Sequence, residues 1–348
     1  MDTYRGCTYG CLFCFARDLL QFARRNQSEE KKIQTYLVGN NPSSFKRWIE
    51  RTMKKEIDYN HAEEVAFKER MPLKIGACAD PFPFVESTEH ITYDVLKALD
   101  ELDYPVQLST KNPEVFLGYA DEFKNSNIAL NVSISFCDDD IARQIECGAI
   151  PPSRRFAAIR RLSDMGFKIL VRVQPFILPY TFDNAERFVK TIKDSGAFGF
   201  QTEGLKLRVT MSKSEKEIYT KIGEVFNFDI INDFKENGEI EGGDRVYSKE
   251  NKCKMLSRFT ELANENGIKF INADNMVDGQ YGCGCECCGT EFLRNHSIWG
   301  ECSRAKASDI SNCKCVSEFG KCIVNFTRSK SNFGKTIQQV TEEYVMKN

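Results

Sequence analysis

The sequence predicts an α/β fold, a partial (β/α)6 TIM-type barrel with a cysteine-rich C-terminal extension, from three observations. Apolar strand-like runs alternate with amphipathic stretches of helical period, the pattern of βαβ units and a parallel sheet. About six such units fit before residue 210. At 348 residues the chain suits one such barrel with an appendage.

The elements follow in order. Only six residues precede Cys7, so a first strand there is very short, or the true start lies upstream of Met1. "ARDLLQFARR" reads as a short helix, and residues 26–71 as a polar excursion holding a strand-like "IQTYLVG" and one or two exposed helices. Regular alternation then begins, with "LKIGACA" a strand, "TYDVLKALDEL" a helix, "YPVQLST" a strand, "PEVFLGYADEF" a helix and "IALNVSISF" a strand. "SRRFAAIRRLSDMG" is a helix with Phe156, Ile159, Leu162 and Met165 on one side, four arginines elsewhere and Gly166 at its end. "FKILVRVQPFI" is the next strand, "DNAERFVKTIKDSG" a helix capped by Asp183, and "GLKLRVTM" another strand. Residues 1–210 form the expected core, 211–275 add helices and a strand that cover it, and 276–348 form the cysteine-rich tail.

Composition narrows the function. No run approaches the roughly 18 apolar residues of a membrane span. The N-terminus lacks the basic and apolar regions of a secretion signal, so a reducing cytoplasm is expected. Fifteen cysteines in that compartment suggest metal, and the odd count does not suit a fully paired disulfide framework. A net charge of −2 gives no global footprint for nucleic acid, so any such contact must be local. Arg154, Arg155, Arg160, Arg161, Lys206 and Arg208 are the candidates, with solvated helix and strand faces as the alternative.

Cys7, Cys11 and Cys14 form CxxxCxxC, followed at once by Phe15. A structural zinc site closes with four protein ligands, which here needs a distant Cys or His. A cubane iron–sulfur cluster works with three thiolates and one open iron. This motif resembles the signature of the radical SAM enzymes. The further stretches "GACADPFPFVE", "LSTKN", "VSISF", "IECGAIPPSRRFAAIRRLSDMG" and "VRVQPFILP" are similar, in order, to the spore photoproduct lyase-like branch, over roughly residues 4–180.

The resemblance implies a [4Fe-4S] cluster on Cys7, Cys11 and Cys14 whose open iron binds S-adenosylmethionine. It implies an electron donor of flavodoxin or ferredoxin type, and a 5′-deoxyadenosyl radical that abstracts hydrogen from a substrate. Phe15 is then expected near the adenine, Lys111 near the SAM carboxylate, and Asp80 and Glu86 near its amino group, with helix capping the alternative for both acids. Ser133, Ser135 and Cys137 alternate onto one strand face, where the serines suit the ribose or methionine moiety. Glu146 suits ribose hydroxyls and Arg172 a carboxylate or phosphate, unless the two form a buried ion pair. In the lyase a cysteine three residues before the aspartate donates hydrogen to the product radical. Cys78 stands only two before Asp80, a slip that turns its side chain to the other face, and Cys137 is the alternative donor.

Eight cysteines crowd the tail: Cys283, Cys285, Cys287, Cys288, Cys302, Cys313, Cys315 and Cys322. A second iron–sulfur cluster and a structural zinc both fit these spacings. The expected substrate is a nucleic acid or nucleotide. A peptide-modifying radical SAM enzyme with an auxiliary cluster, and a non-catalytic metal-binding adaptor, stand as alternatives.

Overall fold

The computed structural model describes residues 1–16, 38–39, 41–56, 62–68, 70–274, 277, 287–296, 298–299 and 322–323. The expected helix "ARDLLQFARR", beyond its first residue, lies outside them, as does most of "IQTYLVG".

Strand β1 (Tyr4–Arg5) pairs antiparallel with β2 (Val38–Gly39), apart from the main sheet. Helices α1 (Pro42–Lys54) and α2 (Ala62–Lys68) follow. The alternation then gives β3 (Leu73–Ile75), α3 (Ile91–Asp100), β4 (Val106–Thr110), α4 (Pro113–Leu117), β5 (Ile128–Ser133), α5 (Asp139–Ile145), α6 (Pro152–Asp164), β6 (Ile169–Phe176), α7 (Ala185–Asp194) and β7 (Gly199–Gly204). Strand β8 (Lys206–Arg208) and helices α8 (Lys213–Phe226) and α9 (Ile230–Glu236) come next, then β9 (Gly238–Glu241), β10 (Asp244–Tyr247), α10 (Lys249–Glu265) and β11 (Lys269–Asn272).

Six strands form one parallel sheet in the order β11-β7-β6-β5-β4-β3. Its sixth strand is therefore β11 and not the residues before Cys7. Met1 still lies along the β3 edge, where its carbonyl accepts from Gly76 N at 3.2 Å. No helix among the described residues is long and apolar enough to cross a membrane.

Alternation along the strands gives the sheet two unlike faces. Leu108, Leu130, Val132, Ile169, Val171, Val173 and Phe200 are buried in one apolar core with Leu96 and Leu99 of α3, Ile159 and Leu162 of α6, Phe188 and Ile192 of α7, and Phe259 of α10. Each such side chain adds about 1.5–3 kcal/mol when fully buried. The opposite face carries Gln107, Ser109, Asn131, Ser133, Arg172, Gln174 and Gln201, aligned by the pairs Ser109 with Asn131, Ser133 with Arg172, and Arg172 with Gln201. Arg172 on β6 reaches past β5 to donate to Ser109 Oγ on β4 at 3.4 Å. That reach places the polar face on the concave side of a curled sheet.

Three sequence expectations are corrected. The strand read as "GLKLRVTM" is displaced: β7 is "GFQTEG", whose Gln201 lies on the polar concave face. β8 leaves the main sheet to pair with β10 in a three-stranded antiparallel sheet ordered β8-β10-β9. Asp183 ends a single helical turn, Tyr180–Asp183, and α7 has Asn184 at its N-cap, without a side-chain capping bond. Arg155 on α6 does not join a solvated face but is 0% exposed, for reasons given by its partners below.

The short helical turn Cys287–Phe292 closes the N-terminal end of the sheet. Asn127, just before β5, donates to Arg294 O at 2.9 Å and accepts from Arg294 N at 2.7 Å, and Phe292 packs edge-on against Phe198.

Candidate active site

The loop after β1, residues 6–16, lies over the opposite, C-terminal ends of the strands. Gly10 turns it at φ +56°, in the left-handed region. Buried Tyr9 donates its hydroxyl to Phe82 O at 2.8 Å, and Asn112 Nδ2 donates to the same carbonyl at 3.0 Å. The segment after α5 straps the loop from the other side, with Leu12 N donating to Ile145 O at 2.9 Å and Gly148 N to Tyr9 O at 2.8 Å. Gly148 approaches so closely that a Cβ there would meet Thr8 O at 2.5 Å.

The loop so held carries Cys7, Cys11 and Cys14, none of them in a disulfide. Burial pushes the Cys7 and Cys11 thiols up, and each feels the neighbouring thiols as further repulsion. Iron takes thiolates, so loading must release these protons. Among the described residues no three Cys, His, Asp or Glu side chains form a site for one ion. A cubane asks less of them, one thiolate for each of three irons. Three sulfur donors on one loop, with no fourth in its motif, fit that group.

Asp80 ties the turn after β3 to the end of β4. Its carboxylate accepts from Phe82 N at 3.0 Å, Thr110 Oγ1 at 2.7 Å and Lys111 N at 2.6 Å. Burial raises its pKa although these bonds oppose the rise. Glu86 is buried, and its carboxylate accepts from Tyr4 Oη, from Thr92 N at 3.0 Å and from Tyr93 N at 2.8 Å. It therefore caps α3 and anchors β1, the helix-capping alternative read from the sequence.

Lys111 Nζ donates to Glu146 Oε1 at 2.7 Å and lies 5.3 Å from the centre of the Phe13 ring. The Glu146–Arg172 ion pair, the alternative to their cofactor roles, is not formed. Glu146 pairs instead with fully buried Arg155 at 2.7 Å, while Arg172 is held by Gln174 and Ser109. Burial pushes the Glu146 carboxyl up, but attraction to Arg155 and Lys111 outweighs it and holds the group below its ordinary value.

The remaining candidates are spread around this centre. Ser133 lies at the end of β5 and Ser135 donates to Gln174 O at 2.9 Å. Cys78 is half-buried and close enough to Cys14 to feel its charge. Cys137 Sγ lies 3.5 Å from Tyr180 Oη. Phe15 is 76% exposed, and it is Phe13 that packs into the site, against Phe136. Cys287 and Cys288 belong to the turn at the far end of the sheet, and Cys322 to a two-residue strand beside Ile298–Trp299. Cys283, Cys285, Cys302, Cys313 and Cys315 lie outside the described residues.

The expected basic patch is largely spoken for: Arg154 pairs with Glu114, Arg160 with Asp164, Lys206 with Glu203 and Arg208 with Glu215. Sequence reading missed Tyr9, Asn112 and Gly148, which hold the loop, and Asn131. Asn131 is fully buried, with neither Oδ1 nor Nδ2 hydrogen-bonded. Glycine and asparagine in these stretches were the available signal, since each is costly in a strand or core without a contact reason.

A three-thiol loop strapped over the C-terminal ends of an open parallel sheet defines a class, and the chain belongs to it: the radical SAM superfamily model matches residues 1–194. Among individual proteins, it is 24% identical over 214 residues to the uncharacterized protein Rv2578c of Mycobacterium tuberculosis strain H37Rv and to Mb2609c of Mycobacterium bovis, covering 60% of this chain. The chain spans 58% of the length of these curated relatives. Its fold is similar to spore photoproduct lyase with bound AdoMet and dinucleoside spore photoproduct, at a TM-score of 0.53 and 14% identity over 78% of this chain and 74% of that one. A second lyase structure, complexed with dinucleoside spore photoproduct, gives a TM-score of 0.50 at 14% identity over 78% of this chain and 75% of that one.

Proposed function

We propose that the chain is a radical SAM enzyme acting on a nucleic acid or nucleotide, with Cys7, Cys11 and Cys14 as the cluster ligands. The observation that carries this is the loop itself, three thiols held in place by Tyr9, Gly148 and Leu12 over the strand ends. When bound, the cluster and SAM supply one-electron cleavage of the sulfonium and a radical that takes hydrogen from the substrate. The protein's part is to orient and to keep water out. Lys111 offers an ammonium to a carboxylate at the cluster edge. The Ser133 hydroxyl and the Arg172 guanidinium line the concave face below. Phe15 offers an exposed ring for stacking. The nucleic-acid reading is supported by the sequence resemblance to the photolyase-like branch.

Two thiols are assigned to return hydrogen to a product radical, Cys78 after β3 and Cys137 beside Tyr180. A flavodoxin- or ferredoxin-type donor supplies the electron, and the tail cysteines are assigned a second metal.

Anaerobic reconstitution tests the reading. About four irons per chain beyond the tail's metal, absorbance near ~400 nm, and 5′-deoxyadenosine released by dithionite and SAM are expected. A Cys7→Ala, Cys11→Ala or Cys14→Ala variant that keeps this cluster overturns it. Deuterium moving into deoxyadenosine from labelled oligonucleotide, and not from labelled peptide, supports the substrate class, and the reverse refutes it. Cys78→Ala and Cys137→Ala should both cleave SAM, and the true donor is the one whose loss alters the products.

A further inference from the structure

We propose that Arg155 is a positioning residue for the cluster site: acting through Glu146, it fixes Lys111 against Phe13, between Cys11 and Cys14, within a triad of net positive charge. The inference rests on the reading of Cys7, Cys11 and Cys14 as cluster ligands.

Arg155 is 0% exposed, and its donors are spent in three directions. Nε donates to Ile150 O at 2.7 Å, Nη1 to Ser133 O at 2.9 Å, and Nη2 faces Glu146 Oε2 at 2.7 Å. The rigid fork of a guanidinium serves such divergent acceptors, whereas a lysine ammonium offers donors from a single point. Glu146 is therefore held at one oxygen by Arg155, and its other oxygen holds Lys111 Nζ. Lys111 cannot choose its own position. It is drawn against the Phe13 ring, on the loop between Cys11 and Cys14, with its side chain 14% exposed.

Within the triad two cations meet one anion, a net positive charge in a poorly hydrated place, while the Asp80 carboxylate stands on the backbone side of Lys111, accepting from its N at 2.6 Å. Cys11 is buried, and the charges of Lys111 and Glu146 both act on its thiol. A structural bolt alone needs only Arg155 and Glu146, because those two close the link between β5, α5 and α6. The third member, turned toward the loop, gives the cluster site a fixed field. Reduction adds an electron to an already anionic cluster, and local charge is one of the levers that set its potential. A positive neighbour held in low dielectric favours the reduced form.

The test compares wild type with Arg155→Met, Arg155→Lys and Lys111→Met. The readouts are the midpoint potential of the reconstituted cluster without SAM, followed by EPR, and the Tm of the metal-free protein. Arg155→Met and Lys111→Met should each lower the reduction equilibrium constant at least tenfold, which is 59 mV for a one-electron couple. Arg155→Lys keeps the charge, so its potential should stay near wild type while its Tm falls with the lost bonds to Ser133 and Ile150. A potential unmoved in both Met variants, whatever happens to Tm, makes the triad a bolt and overturns the inference. Lys111→Met decides the matter alone where Arg155→Met does not fold, because Lys111 is partly exposed and leaves the bolt intact. A wild-type chain that takes up no iron in the loop refutes the cluster reading, whereas normal loading with an indifferent potential refutes this inference only.

Discussion

Gly148→Ala is the sharpest probe of how the cluster loop is held. Gly148 carries the strap to Tyr9, and an added Cβ would lie 2.5 Å from Thr8 O, 3.0 Å from Tyr9 Cα and 3.2 Å from Tyr9 O. Ordinary contact with a methyl group needs about 3.5 Å, so the loop must retreat by roughly 1 Å. That retreat stretches the 2.8 Å bond from Gly148 N to Tyr9 O past useful length. Overpacking costs about 1–3 kcal/mol and the lost hydrogen bond about 1 kcal/mol. At about 2–4 °C per kcal/mol for large domains, the Tm of the metal-free protein should fall by roughly 5 °C or more. Iron uptake should fall with it, because Thr8 and Tyr9 lie between Cys7 and Cys11. Thermal unfolding and iron analysis after anaerobic reconstitution check both effects. Gly243→Ala is the control, since nothing lies within 4 Å of a Cβ there and neither quantity should move. Wild-type Tm and full iron in Gly148→Ala refute the strap.

Lys252 and Asp274 form a buried ion pair at 3.0 Å, so Lys252→Met strands a carboxylate and should cost about 3–5 kcal/mol by denaturant titration, with part recovered in Lys252→Met/Asp274→Leu. Glu146 has a folded-state pKa below its unfolded value, so the folded state binds fewer protons. Its stabilisation is complete above about pH 4.5 and is lost as pH falls through the depressed value. Glu146→Gln should therefore flatten the fall of Tm between about pH 5 and 3, and an unchanged slope refutes the pairing. Asn131 is buried with both amide atoms unbonded, a cost of about 1–3 kcal/mol, so Asn131→Leu should raise the Tm of the ligand-free protein. A lower Tm in that variant shows that bound water or a ligand satisfies the amide.

The sequence by itself determined the α/β alternation, because helical and strand periods are local properties of side-chain order. α10 and β11 fall within residues 211–275, where the sequence expects added helices and a strand. It also determined the three-thiol motif, since CxxxCxxC keeps Cys7, Cys11 and Cys14 on one short loop whatever the rest of the chain does. Tertiary structure decided everything that depends on partners distant in sequence. β7 looks unlike a strand because Gln201 serves a polar concave face that exists only once the sheet curls. "SRRF" shows two adjacent arginines, yet Arg154 pairs on the surface with Glu114 while Arg155 is buried against Glu146. The choice follows from helix phase and from where β5 and the strap arrive. Likewise Glu86 is a cap because α3 begins beneath its carboxylate, and Lys111 faces the cluster loop because Glu146 is already held. A charged side chain buried away from water must be paired, and which partner is near enough is settled by the fold.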